Sequence, residues 1–171
     1  MRIKVCHVIT RLIKGGAQKV VLDLIEGLDR ARFEITLAYG TYTHEEGSLM
    51  PRALASGVRL KEFPELQREV RPGQDWRAFR RLADFFRRER FDLVHTHTSK
   101  AGFVGTLAAR AAGTPAIVYT PHGHIFYRSA AISSVSESLP KLAAFYVLRR
   151  AAEAAADWIV ALTESDKAEQ V

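Results

Sequence analysis

The sequence predicts an α/β fold, a three-layer αβα sandwich built on one parallel sheet. Two observations carry this. Strand-like apolar runs alternate with helix-period segments along the whole chain. In addition, four of the six histidines lie at or just beyond the ends of two strand-like runs, in Asp92–Gly102 and Pro121–His124. In a parallel sheet such positions are C-terminal strand edges, where these folds bind ligands.

Each element has a local reason. Ile3–Ile9 reads as the first strand. Gly16–Leu28 is helical, with Val20, Val21, Leu24, Ile25 and Leu28 at helical spacing. Phe33–Tyr39 is a second strand ending at Gly40, and Glu46–Ser56 a helix capped by Gly57. Val58–Phe63 is a third strand, closed by Pro64. Asp75–Arg90 is a helix with Asp75 as N-cap, whose face of Trp76, Phe79, Leu82, Ala83 and Phe86 is expected on the sheet. Asp92–Thr96 is strand four, and Ser99–Ala112 a helix stopped by Gly113 and Pro115. Ala116–Thr120 is strand five, 137–156 an alanine-rich helix, and Asp157–Leu162 strand six. Thr163 and Asp166 have the spacing of a capping box. Right-handed crossovers give the order 3-2-1-4-5-6 and a ligand crevice between strands one and four. Residues 125–136 lack a period and are expected to form a mobile loop.

Bulk properties narrow the classes. The 171 residues suit one domain, and 47% apolar with 26% charged is an ordinary globular balance. No window holds the roughly 18 uninterrupted apolar residues of a membrane span. Lys4 and His7 interrupt the first apolar run, which reads as a strand and not a signal peptide, so a cytoplasmic location is expected. The single cysteine, Cys6, excludes an internal disulfide and a cysteine-based zinc cluster, and is expected to pack in the first strand. The net charge of +6 is unevenly spread: Arg68, Arg71, Arg77, Arg80, Arg81, Arg87, Arg88 and Arg90 lie within one short stretch. Such a stretch is either a solvated helix face or a patch for phosphates, an anionic membrane surface or another polyanion. The chain stops at Val171, early in a helix, so a second domain is expected beyond it.

The candidate site residues sit at the predicted strand ends. Gly15 and Gly16 precede the first helix and can bare amides to an anion, although a tight turn explains a glycine pair equally well. Neither a G-x-G-x-x-G fingerprint nor a G-x-x-x-x-G-K-[ST] loop is present, which argues against a nicotinamide dehydrogenase or a P-loop nucleotidase. His95 and His97 share a strand face. The deeper His95 reads as a core ring, whereas His97 suits pocket and core equally. A metal pair would need further ligands, and no H-E-x-x-H or nearby carboxylate supplies them. Thr98, Ser99, Lys100 and Gly102 open a helix; its hydroxyls and amides could hold an acceptor hydroxyl or a phosphate, or Thr98 or Ser99 simply caps it and Lys100 is solvated. His122 is the sharpest candidate for catalysis, able to donate a hydrogen bond or move a proton near neutral pH, with Gly123 permitting close approach and His124 orienting the loop. Glu164 follows strand six at the same edge, as a crevice residue or part of a helix cap.

The runs Ile13–Leu22 (with the glycine pair), Asp92–Gly102 and His122-Gly123, in this order, resemble the N-terminal half of family 4 glycosyltransferases over nearly all 171 residues. The resemblance implies a GT-B architecture of two Rossmann-like domains facing a cleft. Residues 1–171 would be the acceptor-side domain, and a donor-binding domain would lie beyond 171. It implies retaining transfer from a nucleotide sugar, with that donor as substrate and no metal or other cofactor. The acceptor would be a glycan or lipid-linked saccharide of cell-surface polysaccharide or glycolipid assembly. The isolated chain is expected to be inactive. By the same resemblance Gly15 and Gly16 would approach donor phosphates or acceptor, and His97, Thr98, Ser99, Lys100 and Gly102 would line the acceptor side. His122 would contact the donor sugar or its phosphate. An anionic membrane surface would be a further partner, and nucleic acid would not. Two other readings stay open: a metal-dependent hydrolase built on His95, His97, His122 and His124, and a basic module that binds polyanions.

Overall fold

A computed structural model describes residues 1–41, 47–122 and 139–163, with the backbone alone over 139–145. The elements run β1 (Ile3–Ile9), α1 (Gly16–Gly27), β2 (Phe33–Gly40), α2 (Met50–Ala55), β3 (Arg59–Phe63), α3 (Pro72–Glu89), β4 (Leu93–His97), α4 (Ser99–Ala112), β5 (Ala116–Thr120), α5 (Leu139–Ala155) and β6 (Trp158–Ile159). All pairings are parallel, and the order is β3-β2-β1-β4-β5-β6, as the sequence predicts.

The alternation of side chains divides the core in two. Cys6, Val8, Val94 and Ile117 face α3 and α4, where Leu82, Phe86, Val104 and Ala108 cover them. Ile9, Ile35 and Leu37 face the opposite side, against Val21, Leu22 and Ile25 of α1 and Ala53 of α2. Each fully buried Leu or Ile contributes roughly 1.5–3 kcal/mol by leaving water. Cys6 is wholly buried and burial pushes its thiol pKa far up, so it behaves as a small apolar residue.

The boundaries differ from expectation where proline and packing intervene. α2 starts at Met50 rather than Glu46 because Pro51 takes its first turn, where a missing N–H costs nothing. Gly57, with φ 69°, closes it as expected. α3 starts at Pro72, three residues before the predicted N-cap. Asp75 therefore lies inside the first turn, where its carboxylate accepts the Arg71 N–H at 3.2 Å. Trp76 does not pack on the sheet: it is 59% exposed and stacks on Phe79 at 5.2 Å. At about 100° per residue it lies about 120° around the helix from Leu82, off the buried stripe. Gly113 caps α4 in the left-handed region, φ 74°, as its position predicts. β6 shrinks to two residues; Asp157 instead accepts the Ile117 N–H at 2.8 Å and binds Arg110 at 2.7 Å. The loop expected over 125–136, together with Asp166, lies outside the described residues.

Candidate functional site

The ends of β1, β4 and β5 meet along one sheet edge, and three strands supply one connected set of polar side chains. In register, His7 on β1 pairs with His95 on β4, and His97 pairs with Thr120 on β5. The period of two therefore puts three imidazoles on one sheet face. His7 Nδ1 lies 3.1 Å from His97 Nε2, and His97 Nδ1 lies 3.0 Å from His122 Nε2. His95 stacks beside them, its ring centroid 4.0 Å from that of His97, and its Nε2 meets Thr120 Oγ1 at 2.8 Å.

Burial reverses the expected roles of the β4 pair. His97 is fully buried and His95 only half-buried. His97 ends its strand, but His7 and His122 close over its two nitrogens, so it cannot touch a substrate directly. Burial, then the neighbouring imidazoles, holds the His97 pKa well below the usual histidine range. Burial lowers His7 to about 3 and His95 and His122 each to about 4. The cluster is neutral at pH 7.

The helix that follows β4 is capped from another strand. Thr98 forms no side-chain cap, and neither does Ser99. Instead Thr10, one residue past β1, accepts the Ala101 N–H through Oγ1 at 3.2 Å and lies 3.4 Å from Thr98 Oγ1. Thr98 itself has φ 65° and ψ 171°, a conformation essentially reserved for glycine. A β-branched residue held there stores strain of order 1–3 kcal/mol, and such strain concentrates at functional sites. His122 also has positive φ, 58°, which histidine tolerates better than most residues.

Lys100 is not solvated. Its side chain is 10% exposed, binds Asp75 at 2.5 Å and donates to the Glu69 carbonyl at 2.8 Å, tying α4 to the start of α3. Its charge is spent within the protein, so a phosphate contact is not its role. Gly102 is likewise a packing position: a Cβ there would overlap the Tyr119 ring, 2.8 Å from its Cζ. The glycine pair behaves in the opposite way. Gly15 is extended at φ −152°, a conformation any residue adopts, so the turn does not require it. A Cβ on Gly16 would meet nothing within 4 Å, and one on Gly15 only the movable end of Gln18. Among the described residues, nothing fills the space before α1. Gly123, His124 and Glu164 lie outside the described residues.

Sequence reading missed His7 and Thr10. Strand order was the available signal: once β1 and β4 are neighbours, a histidine in β1 on the His95 register becomes a candidate.

His7, His95 and His97 each offer a ring nitrogen, all within 4.8 Å of one another. Their partners are each other, His122 and Thr120, and no carboxylate joins them among the described residues. Ligand histidines are normally steadied through their second nitrogen by a carboxylate, carbonyl or water. Here both nitrogens of His97 go to imidazoles, so the set is a hydrogen-bonded chain.

The sequence profile of Glycosyltransferase Family 4 matches residues 14–170. The chain belongs to this family. Among curated proteins, this family 4 domain is 34% identical over 125 residues to an Escherichia coli enzyme, UDP-Gal:alpha-D-GlcNAc-diphosphoundecaprenol alpha-1,3-galactosyltransferase. The match covers 73% of the domain and 31% of that enzyme, so the chain spans about a third of this relative. Solved structures show the same fold. Sucrose-phosphate synthase from Thermosynechococcus elongatus superposes with a TM-score of 0.71 at 15% identity, over 98% of the domain and 44% of that protein. UDP-GlcNAc 2-epimerase from Neisseria meningitidis, bound to UDP-GlcNAc, gives 0.68 at 17% identity, over 98% and 42%. The family assignment does not favour the metal-dependent hydrolase reading.

Proposed function

We propose that this family 4 domain is the acceptor-side half of a retaining glycosyltransferase that moves a sugar from a nucleotide sugar to a glycan or lipid-linked acceptor. The observation that carries the reading is the convergence at one sheet edge: an open helix start at Gly15–Gly16, the strained Thr98 turn, and His122 on its buried support. First-turn N–H groups of a helix lack intrahelical partners and attract anions. A departing diphosphate gains from such donors as its charge develops. His122 is the residue proposed to touch the reacting sugar or its phosphate, with Gly15, Gly16, Thr98 and Ser99 around the substrates. The nucleotide sugar is a substrate, and no metal or other cofactor is assigned. A donor-binding domain beyond residue 171 completes the cleft, and the 171-residue chain alone is inactive. The E. coli relative takes UDP-Gal as donor and a diphosphoundecaprenol-linked saccharide as acceptor, which supports a role in cell-surface glycan assembly.

The test is His122→Ala in a protein that carries this domain with its donor-binding partner domain. Turnover is expected to fall at least about a hundredfold, the scale of losing one positioned donor or acid–base group, with the unfolding midpoint little changed. Near-normal turnover removes His122 from the account.

A lipid-linked acceptor would place the enzyme at the cytoplasmic face of a membrane. The side of α3 opposite its buried stripe carries Arg77, Arg80, Arg81, Arg87 and Arg88, all exposed. Arg81 pairs with Glu65 and Arg87 with Asp84, but Arg68, Arg71, Arg77 and Arg80 make no ion pair among the described residues. Val70 and Trp76 stand exposed beside them at 67% and 59%. No described helix is long and apolar enough to cross a membrane. Peripheral attachment to anionic lipid follows from that chemistry. The chain is expected to co-sediment with vesicles containing anionic lipid and to stay in solution with neutral ones; equal recovery in both ends the idea.

A further inference from the structure

The hydrogen-bond chain through His7, His97 and His122 has an orphan at each end. His7 Nε2 and His122 Nδ1 are both buried and both lack a hydrogen-bond partner among the described residues. Between them lie two bonds, His7 Nδ1 to His97 Nε2 and His97 Nδ1 to His122 Nε2. Three neutral imidazoles carry three ring protons. Two of these are spent in the two bonds, and the third must sit on one of the two orphan nitrogens. The chain therefore has two polarities. In one, every ring is protonated at Nδ1, and His122 ends the chain with a free N–H. In the other, every ring is protonated at Nε2, and the free N–H is on His7, beneath the site.

Physical chemistry distinguishes them. A buried N–H without a partner is rarer in proteins than a buried acceptor without one, because its single proton has nowhere else to go. His7 is 3% exposed and sits inside the sheet, so an N–H at its Nε2 finds no acceptor among the described residues and none from a ligand. His122 follows β5 at the sheet edge and its ring is only half-buried. Its Nδ1 is itself covered, but a small shift of this edge ring brings an N–H there to a ligand oxygen, a freedom that His7 inside the sheet lacks.

We infer that His7 and His97 are positioning residues that fix His122 as a neutral Nδ1–H donor, aimed at a lone-pair oxygen of the nucleotide sugar, a sugar hydroxyl or a diphosphate oxygen. This rests on the glycosyltransferase reading and specifies what His122 does within it. His122 then neither abstracts a proton nor acts as an imidazolium. Its Nε2 lone pair is occupied by the proton of His97, and its Nδ1 already carries its own. The inner rings do for His122 what a carbonyl or carboxylate bonded to the far nitrogen commonly does for a functional histidine, fixing one tautomer. They do so without adding charge. His95 touches the rings of His7 and His97 but bonds to Thr120, so it lies outside the chain.

The test reads tautomers directly. Long-range proton–nitrogen spectra of the 171-residue chain, labelled with 15N-histidine, report which nitrogen of each ring bears the proton. At pH 7.5, His7, His97 and His122 are expected to show a pyrrole-type Nδ1 and a pyridine-type Nε2. Free histidine in water prefers the reverse. His97→Leu is expected to release His122 to the Nε2–H form. His97→Gln, whose amide can still donate to His122 Nε2, is expected to keep it Nδ1–H. An Nε2–H His122 in the wild-type chain overturns the inference, as does an unchanged His122 tautomer in a folded His97→Leu variant. Stoichiometric zinc on these rings in the purified chain overturns it too. Because the readout needs no turnover, it fails separately from the functional reading. Loss of activity in His122→Ala with an Nε2–H wild-type ring sinks only this inference. Nδ1–H rings with full activity in His122→Ala sink the functional reading.

Discussion

Acidification from pH 6.5 to pH 5 is expected to strip stability from this domain at no less than about 2–3 kcal/mol per pH unit. The sign follows from His7 and His97. Both are buried and neutral in the fold, His7 with a pKa lowered to about 3 and His97 held well below the usual range. The unfolded chain protonates them near 6.5, so below that pH the unfolded state binds more protons and the fold loses ground. These two alone give a slope of about 2.7 kcal/mol per unit, and His95 and His122, both lowered to about 4, add to it in the same direction. The contribution is complete above pH 6.5 and is lost as pH falls towards about 3. Among the described residues, the groups facing these rings are His95, His122 and Arg30, and none is a carboxylate that would reverse the sign. The lowered carboxylates Glu26, Glu65, Glu89 and Asp157 all lie below the ordinary carboxylate range, so the window from 6.5 to 5 isolates the histidines. Guanidinium unfolding at four pH values measures the slope. A flat profile from pH 7.5 to 5 means that the imidazoles are not buried as a group.

Gly40→Ala is expected to be the most damaging single methyl addition in the described core, costing about 3 kcal/mol or preventing soluble expression. A Cβ there would overlap the Leu66 carbonyl oxygen and lie 2.6 Å from the Thr10 carbonyl oxygen. Both obstacles are backbone, so no side chain can swing aside. Relief must come from moving both the turn at Leu66 and the end of β1, and Gly40 N–H itself donates to the Thr10 carbonyl at 3.1 Å. Thr10 caps α4, so the disturbance passes from β2 into the candidate site. Gly73→Ala is the matched control: its Cβ would meet nothing within 4 Å. Calorimetric midpoints that fall equally in both variants, or in neither, refute the packing argument.

Much of this architecture was legible from spacing alone. The apolar period separated strands from helices, right-handed crossovers gave the strand order, and glycines 57 and 113 marked helix ends. The strand ends carrying Gly15, Thr98 and His122 were legible for the same reason. They are local or topological properties, and a linear pattern encodes them.

Which side chains meet was not encoded in that way. His7 and His97 are 90 residues apart, and only the register between β1 and β4 puts them in contact. Lys100 reads as a solvated cation until Asp75 and Glu69 arrive from α3 and the segment before it. Gly102 reads as a substrate position until Tyr119 is seen against it. His97 reads as an edge residue until two other rings cover its nitrogens. The chain itself determined a parallel α/β domain with histidines at its ligand-binding edge. Packing between distant segments decided which of those histidines is buried, which is presented and by what it is held, because burial and hydrogen bonding depend on neighbours that sequence order does not name.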